Sequence, residues 1–128
     1  MTTAPNMRQR YITDSVQTAS PAKLLMMLFD RLVLDLSRGE QALLASDRVE
    51  ANAQLLHAQD IVTELHVSLD LDAWSGAPGL AALYAFAQTE LVNANVRRDV
   101  DKVKAVRGLI EPLRDTWREA ASAAAAGS

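Results

Sequence analysis

The chain has 128 residues, 49% of them hydrophobic and 23% charged, a profile typical of one globular domain with its own core. It contains no cysteine, which excludes disulfides, thiolate metal sites and cysteine nucleophiles. The net charge of −3 without a long cluster of lysine and arginine argues against nucleic-acid binding, and the longest apolar run, Leu24 to Phe29, is too short to span a membrane.

The first predicted elements are a polar N-terminal arm and the helix that follows it. Residues 1–19 are expected to form a flexible arm, and they lack the basic and apolar regions of a signal peptide. Ser20 is a preferred N-cap residue, and Pro21 suits the first helical position because its missing N–H is not needed there. We therefore predict helix 1 over about Pro21 to Leu44, at the start of a bundle domain that covers residues 20–122.

Helix 1 has more apolar residues than one core-facing stripe requires. At about 100° per residue, the stripe that faces the core consists of Leu25, Phe29, Leu32 and Leu36. The charged arc on the other side consists of Lys23, Asp30, Arg31, Asp35 and Arg38, and it also contains Leu24, Met27 and Leu34. Three explanations of these apolar residues stay open. They are ordinary isolated surface residues, the arm covers them, or they form a groove for another polypeptide, to which Met is well suited.

Three more helices of similar length follow. The predicted ranges are about Arg48–Leu69 for helix 2, Leu80–Arg97 for helix 3 and Val100–Ala121 for helix 4, with residues 123–128 as a frayed tail. Ser46 or Asp47 is expected to cap helix 2, and Asp99 to cap helix 4. Each helix is about 30 Å long and the links are short. We therefore predict an all-α fold, an antiparallel up-down four-helix bundle.

No constellation of residues supports catalysis, a metal site or a cofactor site. His57 and His66, the only histidines, lie too far apart on helix 2 to share one metal ion. The sequence has no Glu-x-x-His pair, phosphate-binding glycine loop or nucleophile motif. Asp60 is expected to make only a solvated surface contact with His57.

Three further residues have both a structural and a functional interpretation. Trp74 lies in a loop rich in Gly and Pro, where it is either an exposed anchor for a partner or a cover over the end of the bundle. Trp117 continues the apolar seam of helix 4, which favours the core. Asn95 either caps helix 3 or bonds across to the next helix.

Short motifs occur in a fixed order over about residues 8–118. They are Tyr11 with Val16-Gln-Thr-Ala-Ser20-Pro21, Leu24 to Asp30, Ala58-Gln-Asp-Ile61-Val-Thr-Glu64-Leu65, Ser68-Leu69-Asp70, Leu83-Tyr84, Leu91-Val-Asn-Ala-Asn95, Asp99 and Leu113-Arg-Asp-Thr-Trp117. No single motif is diagnostic, but the ordered set resembles the bacterial flagellin export chaperones, the FliS family. The loop before helix 3 departs from the family pattern, because Gly79 stands where the family usually has Asn. Phe86 stands where the family commonly has Tyr.

The resemblance implies a cytosolic export chaperone without enzymatic activity or cofactor. Such a chaperone binds the disordered C-terminal segment of flagellin, prevents premature polymerisation and supports delivery to the flagellar type III export gate. In the family the client wraps around the bundle in an extended, partly helical form, and the N-terminal arm can lie over part of that surface. The gate is a second candidate partner, and neither nucleic acid nor membrane insertion is expected.

The resemblance and the surplus apolar surface together nominate a set of partner-binding residues. They are Tyr11, Val16, Leu24, Met27, Leu28, Leu34, Tyr84, Leu91 and Asn95. Two rival interpretations remain: a helical-bundle adaptor for a different secreted client, and an enzyme or cofactor bundle. The absence of ligand motifs argues against the second rival.

Overall fold

The computed structural model describes residues 20–126, apart from the side chain of residue 125. Its elements are four helices, α1 (Pro21–Leu44), α2 (Arg48–Ser68), α3 (Ala77–Arg97) and α4 (Val100–Ala126). α1 packs against α2 and α4, and α3 packs against the same two helices. The described residues therefore form the predicted all-α four-helix bundle. The predicted arm, residues 1–19, and the last two residues of the predicted tail lie outside them.

Contacts between helices show that neighbours run in opposite directions. Early and late residues of α1 meet late and early residues of α4, since Asp30 pairs with Arg118 while Glu40 pairs with Arg107. The same reversed order joins α2 and α3. This is the up-down arrangement that short links between helices of matched length favour.

Side-chain caps fix where the helices begin, as predicted. The N–H of Lys23 donates to Ser20 Oγ at 3.1 Å, and Pro21 occupies the first turn of α1. Of the two candidates before α2, Asp47 is the cap, because its Oδ1 accepts from the N–H of Glu50 at 3.1 Å. Ser46 instead occupies the turn with a φ of 56°. The caps match the general preference for Ser and Asp at these positions.

Two predicted boundaries were wrong. α3 begins at Ala77 rather than Leu80, and α4 continues to Ala126 rather than Ala121, whereas α2 ends at Ser68, within one residue of the prediction. Pro78 indicated a loop, yet a proline in the first helical turn disrupts nothing because its N–H has no intrahelical partner there. The longer α4 follows from its alanine run, since alanine has the highest helix propensity.

The core is a single cluster to which every helix contributes. Its members are Phe29, Leu32 and Leu36 of α1, Leu55, Ala58, Ile61, Val62 and Leu65 of α2, Tyr84, Ala87, Leu91 and Ala94 of α3, and Val103, Val106 and Ile110 of α4. Full burial of one large apolar side chain contributes about 1.5–3 kcal/mol. A Cβ on Gly39 would lie 2.9 Å from Leu55 Cδ2, so glycine at this position lets α1 approach α2 closely.

Burial of Tyr84 leads to a prediction for alkaline pH. Loss of solvation raises the pKa of Tyr84 to about 12, compared with about 10 in an unfolded chain. The folded state therefore holds this proton more tightly, and its contribution to stability is complete below pH 10 and is lost as pH rises through 12. Between pH 8 and pH 11.5, the free energy of unfolding should fall by up to about 2 kcal/mol more in the parent than in Tyr84→Phe. Urea unfolding at the two pH values measures both changes. Equal losses in both proteins would show that Tyr84 does not control this titration.

Candidate functional site

The outer side of the α2–α3 pair carries exposed apolar residues on both helices. Five exposed residues mark it, and we call the surface between them the α2–α3 groove: Val49, Leu56 and Val67 of α2, and Val92 and Val96 of α3. They are between 43% and 83% exposed. Helical spacing puts the α2 residues on one line and the α3 residues on another. The residues that bridge the two helices between these lines are neutral. The exposed Asp60 lies on the α2 line between Leu56 and Val67, and Arg48 and Arg98 stand at one end of the groove.

Neutral hydrogen bonds form the floor of the groove. Gln88 Nε2 donates to Thr63 Oγ1 at 2.8 Å and to the carbonyl of Gln59 at 3.3 Å. Nearer the other end, Asn95 Nδ2 donates to Asn52 Oδ1 at 2.8 Å. These bonds hold α2 and α3 in register without placing a charge on the surface. Asn95 was expected either to cap helix 3 or to bond to the next helix. It does bond across to another helix, but that helix is the preceding one, α2.

Two shallow cavities indent the groove. One, of about 260 Å³, is lined by Val62, Thr63, His66, Val67 and Gln88. The other, of about 390 Å³, lies toward the α1–α2 and α3–α4 links and is lined by Leu43, Arg48, Val49, Ala51, Asn52, Asn95, Val96 and Arg98. An open surface with shallow apolar depressions suits a polypeptide better than a small molecule, whose sites are normally deep and enclosed.

Ion pairs cross the opposite side of the bundle, between α1 and α4. Arg107 Nη2 lies 2.5 Å from Glu40 Oε1, and its Nη1 lies 3.0 Å from Glu111 Oε1. The hydrogen bonds that Arg107 donates to these two carboxylates raise the pKa of Arg107. Asp30 pairs with Arg118 as well. A ligand along these pairs would have to displace them, which makes that stretch a poor site for an apolar partner. Beyond them, Leu25, Met26 and Trp117 line an apolar cavity of about 240 Å³ between the start of α1 and the end of α4.

The side between α1 and α2 contains a buried charge that the sequence prediction misplaced. Asp35 was assigned to the solvated arc of helix 1, but its side chain is fully buried. One carboxylate oxygen accepts from Arg31 Nε at 2.9 Å, and the other is hydrogen-bonded to His57 Nδ1. His57 was expected to contact Asp60, so this prediction was also wrong. A buried carboxylate is tolerated in the interior when it pairs with a guanidinium and has further hydrogen bonds, as Asp35 does with Arg31 and His57.

The predicted partner-binding residues of α1 lie on or near its outer face. Met27 and Leu34 are 47% and 39% exposed, and they are spaced one heptad apart, so they share one face. We call these two residues the α1 stripe. Leu24 is partly buried, and Leu28 is a partly buried residue that packs against the core.

The remaining predicted partner-binding residues divide into three groups. Tyr84 and Leu91 are core residues with 1% and 0% exposure, so their contact with a partner stays a prediction that would require the helices to separate. Asn95 lies on the floor of the α2–α3 groove. Tyr11 and Val16 lie outside the described residues.

The sequence analysis missed the five residues that define the α2–α3 groove. Val49, Leu56 and Val67 were passed over because only the core seam of helix 2 was traced. These three residues share one helical face outside that seam, and this spacing could have predicted a second apolar stripe on helix 2. Phe86 of α3 and Leu109 of α4 are also exposed, at 49% and 40%, and add a smaller apolar patch near the α3–α4 seam.

The two tryptophans meet at one end of the bundle. Trp74 packs edge-on against Trp117 with ring centroids 6.1 Å apart, while Trp74 stays half-exposed. Trp117 packs against the core, as predicted. A Cβ on Gly76 would overlap the Trp74 ring, so glycine is needed where the loop enters α3. Trp74 therefore covers the bundle end and also offers surface to a partner.

No grouping of His, Cys, Asp and Glu suited to a metal ion occurs within residues 20–126. In the same part of the chain, every helix is too short or too polar to cross a membrane.

Comparison with known proteins identifies a family. The family model described as "Flagellar protein FliS" matches residues 4–124. The flagellar secretion chaperone FliS of Bacillus subtilis (strain 168) is 31% identical over 110 residues, which cover 86% of this chain and 82% of that protein. The flagellar secretion chaperone FliS of Escherichia coli (strain K12) is 31% identical over 110 residues, which cover 84% and 81%.

A solved structure supports the same assignment at the level of fold. It is described as a crystal structure of a flagellar chaperone from bacteria, and it matches with a TM-score of 0.74 and 21% identity over 94% of this chain and 98% of the other. The family match covers nearly the whole chain, and curated relatives share its sequence at 31% identity. This chain therefore belongs to the FliS family of flagellar secretion chaperones.

Proposed function

We propose that this protein binds the C-terminal segment of flagellin in the cytosol, prevents its premature polymerisation and supports its delivery to the type III export gate. Membership of the FliS family and relatives named flagellar secretion chaperones support this proposal. The observation that carries it is the α2–α3 groove, where exposed apolar residues flank a neutral floor, on a bundle whose α1–α4 side is crossed by ion pairs. The proposal includes no catalytic step.

An open apolar track suits a client that is disordered before it binds. Ordering such a segment costs about 2–5 kcal/mol of the gross interaction energy, so the bound form must bury a long apolar surface. Isolated pockets would not supply it. The α2 line spans about 27 Å from Val49 to Val67 at 1.5 Å rise per residue, with Asp60 and Thr63 between Leu56 and Val67.

The groove fits one helix of the client. A helix of about 18 residues has the same length as the α2 line, and its apolar side would pack between the two lines of valine and leucine. This is recognition of an amphipathic helix in a groove, where residues at helical spacing anchor the ligand. The uncharged floor selects against a charged ligand face, since burying an unpaired charge against it is unfavourable.

The α1 stripe provides a second contact area for the same client. Met27 and Leu34 lie across α2 from the groove, so a client helix in the groove needs a further segment to reach them. The wrapped, partly helical client implied by the family resemblance has this form. Tyr11 and Val16 of the arm are proposed to contact the same area, either in the empty chaperone or beside the client.

Calorimetric titration of the full chain with a C-terminal flagellin peptide from the same genome tests the proposed function. We expect sub-micromolar affinity, of about −8 kcal/mol or better, and a negative heat-capacity change from the burial of apolar surface. A peptide of the same composition in scrambled order should not bind, because its apolar residues no longer share one helical face.

A null titration would favour the alternative client. If no heat and no thermal shift appear at tens of micromolar peptide, the bundle is an adaptor for another secreted protein. Peptides from other exported flagellar subunits are then the ligands to titrate.

A further inference from the structure

Two arginines stand at one end of the α2–α3 groove, whose floor is neutral. Arg48 begins α2 and Arg98 follows α3, and both line the cavity of about 390 Å³ beside Val49 and Val96. Both side chains are exposed. Within residues 20–126, neither forms an ion pair, whereas Arg107, Arg114 and Arg118 all do.

The nearby carboxylates of Asp47 and Asp99 cap helices, and Asp47 lines a small cavity together with both arginines without forming an ion pair to either. Asp47 accepts the N–H of Glu50, and Asp99 accepts the N–H of Asp101 at 3.1 Å. Between the arginines and the groove floor, Asn52 receives a hydrogen bond through its oxygen from Asn95. Its amide nitrogen is then a further donor at the same end. Two guanidinium groups and one amide thus form a cluster of donors next to an apolar track.

We propose that this end of the α2–α3 groove binds the terminal α-carboxylate of the client, a proposal that rests on the proposed function. A guanidinium group presents two parallel N–H donors that match a carboxylate. A flagellin C-terminal segment supplies this group whatever its sequence, because the chain ends there.

The proposal fixes the direction of the bound helix. With its last residue over Arg48 and Arg98, the client helix runs parallel to α3 and antiparallel to α2. Its C-terminal end also carries carbonyl groups without intrahelical partners and the negative end of the helix dipole. These groups and the α-carboxylate face the same donors, a concentration of negative charge that one acidic side chain along the helix would not match.

Titration of paired peptides tests the carboxylate. The full-length protein is titrated with the C-terminal flagellin peptide as the free acid and as the C-terminal amide. We expect amidation to weaken binding about tenfold, the range for a hydrogen bond to a charged group. In the double variant Arg48→Gln/Arg98→Asn, the acid and the amide should bind equally. Asn is chosen at position 98 because the backbone there has a φ of 54°, which Asn tolerates.

Two controls locate the effect. Arg38→Gln removes an exposed arginine of α1 and should keep the tenfold difference between acid and amide. A free-acid peptide whose acidic side chains are replaced by their amides should bind as tightly as the parent peptide. Far-ultraviolet circular dichroism establishes that each variant keeps its helices.

The outcomes separate this inference from the proposed function. If acid and amide bind the parent protein equally, or if amidation weakens binding equally in the parent and the double variant, the carboxylate site is overturned while the flagellin client stands. If replacement of the acidic side chains weakens binding and amidation does not, the ligand of the arginines is a side chain. If neither peptide binds at all, the proposed function itself fails.

Discussion

One aspartate on each wall of the α2–α3 groove is expected to weaken binding of the flagellin C-terminal peptide by at least about 100-fold. The variant Leu56→Asp/Val92→Asp places two carboxylates where the apolar face of the client helix would pack. Each carboxylate would lose water without gaining a partner, at a cost of a few kcal/mol. Because both side chains are more than 40% exposed in the free protein, the fold should persist. Calorimetric titration measures the affinity, and thermal unfolding measures the stability.

A matched double variant distinguishes the position of the new carboxylates from the general effect of added negative charge. Ser68→Asp/Asn93→Asp adds the same number of carboxylates to the same two helices, at positions about 100° around each helix from Val67 and Val92 on the side away from the groove. It should bind the peptide like the parent. A comparable loss of affinity in both variants would mean that added negative charge on these helices, rather than the groove, controls binding.

Much of the fold could be predicted because the spacing of apolar residues within each helix indicates which face is buried in a bundle. In α4, the 3-4 spacing of Val103, Val106 and Ile110 marked the core stripe, and all three are fully buried. Local chemistry also fixed the helix starts at Ser20 and Asp47. The start of α3 was missed because Pro78 is compatible with both a loop and the first turn of a helix, and local sequence alone does not decide between them.

The site was harder to predict because the exposure of a helix face depends on contacts between residues far apart in sequence. A helical wheel gives the angle of Asp35, but not that His57 of α2 lies opposite it. In the same way, which apolar faces stay uncovered depends on the ion pairs that Glu40 and Asp30 make with α4. Those pairs join residues far apart in sequence, so the pattern of any single helix does not contain them.

The family motifs did not show which of their residues contact a partner. They drew attention to Tyr84, Leu91 and Asn95, but a motif does not distinguish a residue kept for packing from one kept for contact. The structure places Tyr84 and Leu91 in the core and Asn95 at the groove floor. The groove itself is lined by Val49, Leu56 and their neighbours, which no motif singled out.

An aspartate in the core of α1 and an aspartate in the α1 stripe should have opposite consequences. Leu32 is fully buried, so Leu32→Asp would bury an unpaired charge at a cost of several kcal/mol, a large share of the about 5–15 kcal/mol that stabilises a typical domain. We expect this variant to lose its helical circular-dichroism signal or to melt at least about 15 °C lower. Met27 is 47% exposed, so Met27→Asp should melt within about 3 °C of the parent and bind the peptide about tenfold more weakly.

The pair tests both the face assignment and the extent of the client surface. If Met27→Asp unfolds as readily as Leu32→Asp, the outer face of α1 is part of the core and the α1 stripe does not exist. If Met27→Asp is stable and binds the peptide normally while the groove variant does not, the client occupies the α2–α3 groove alone. Weaker binding in both stable variants requires a client that reaches both sides of α2, because no single straight helix can contact Met27 and Val92 together.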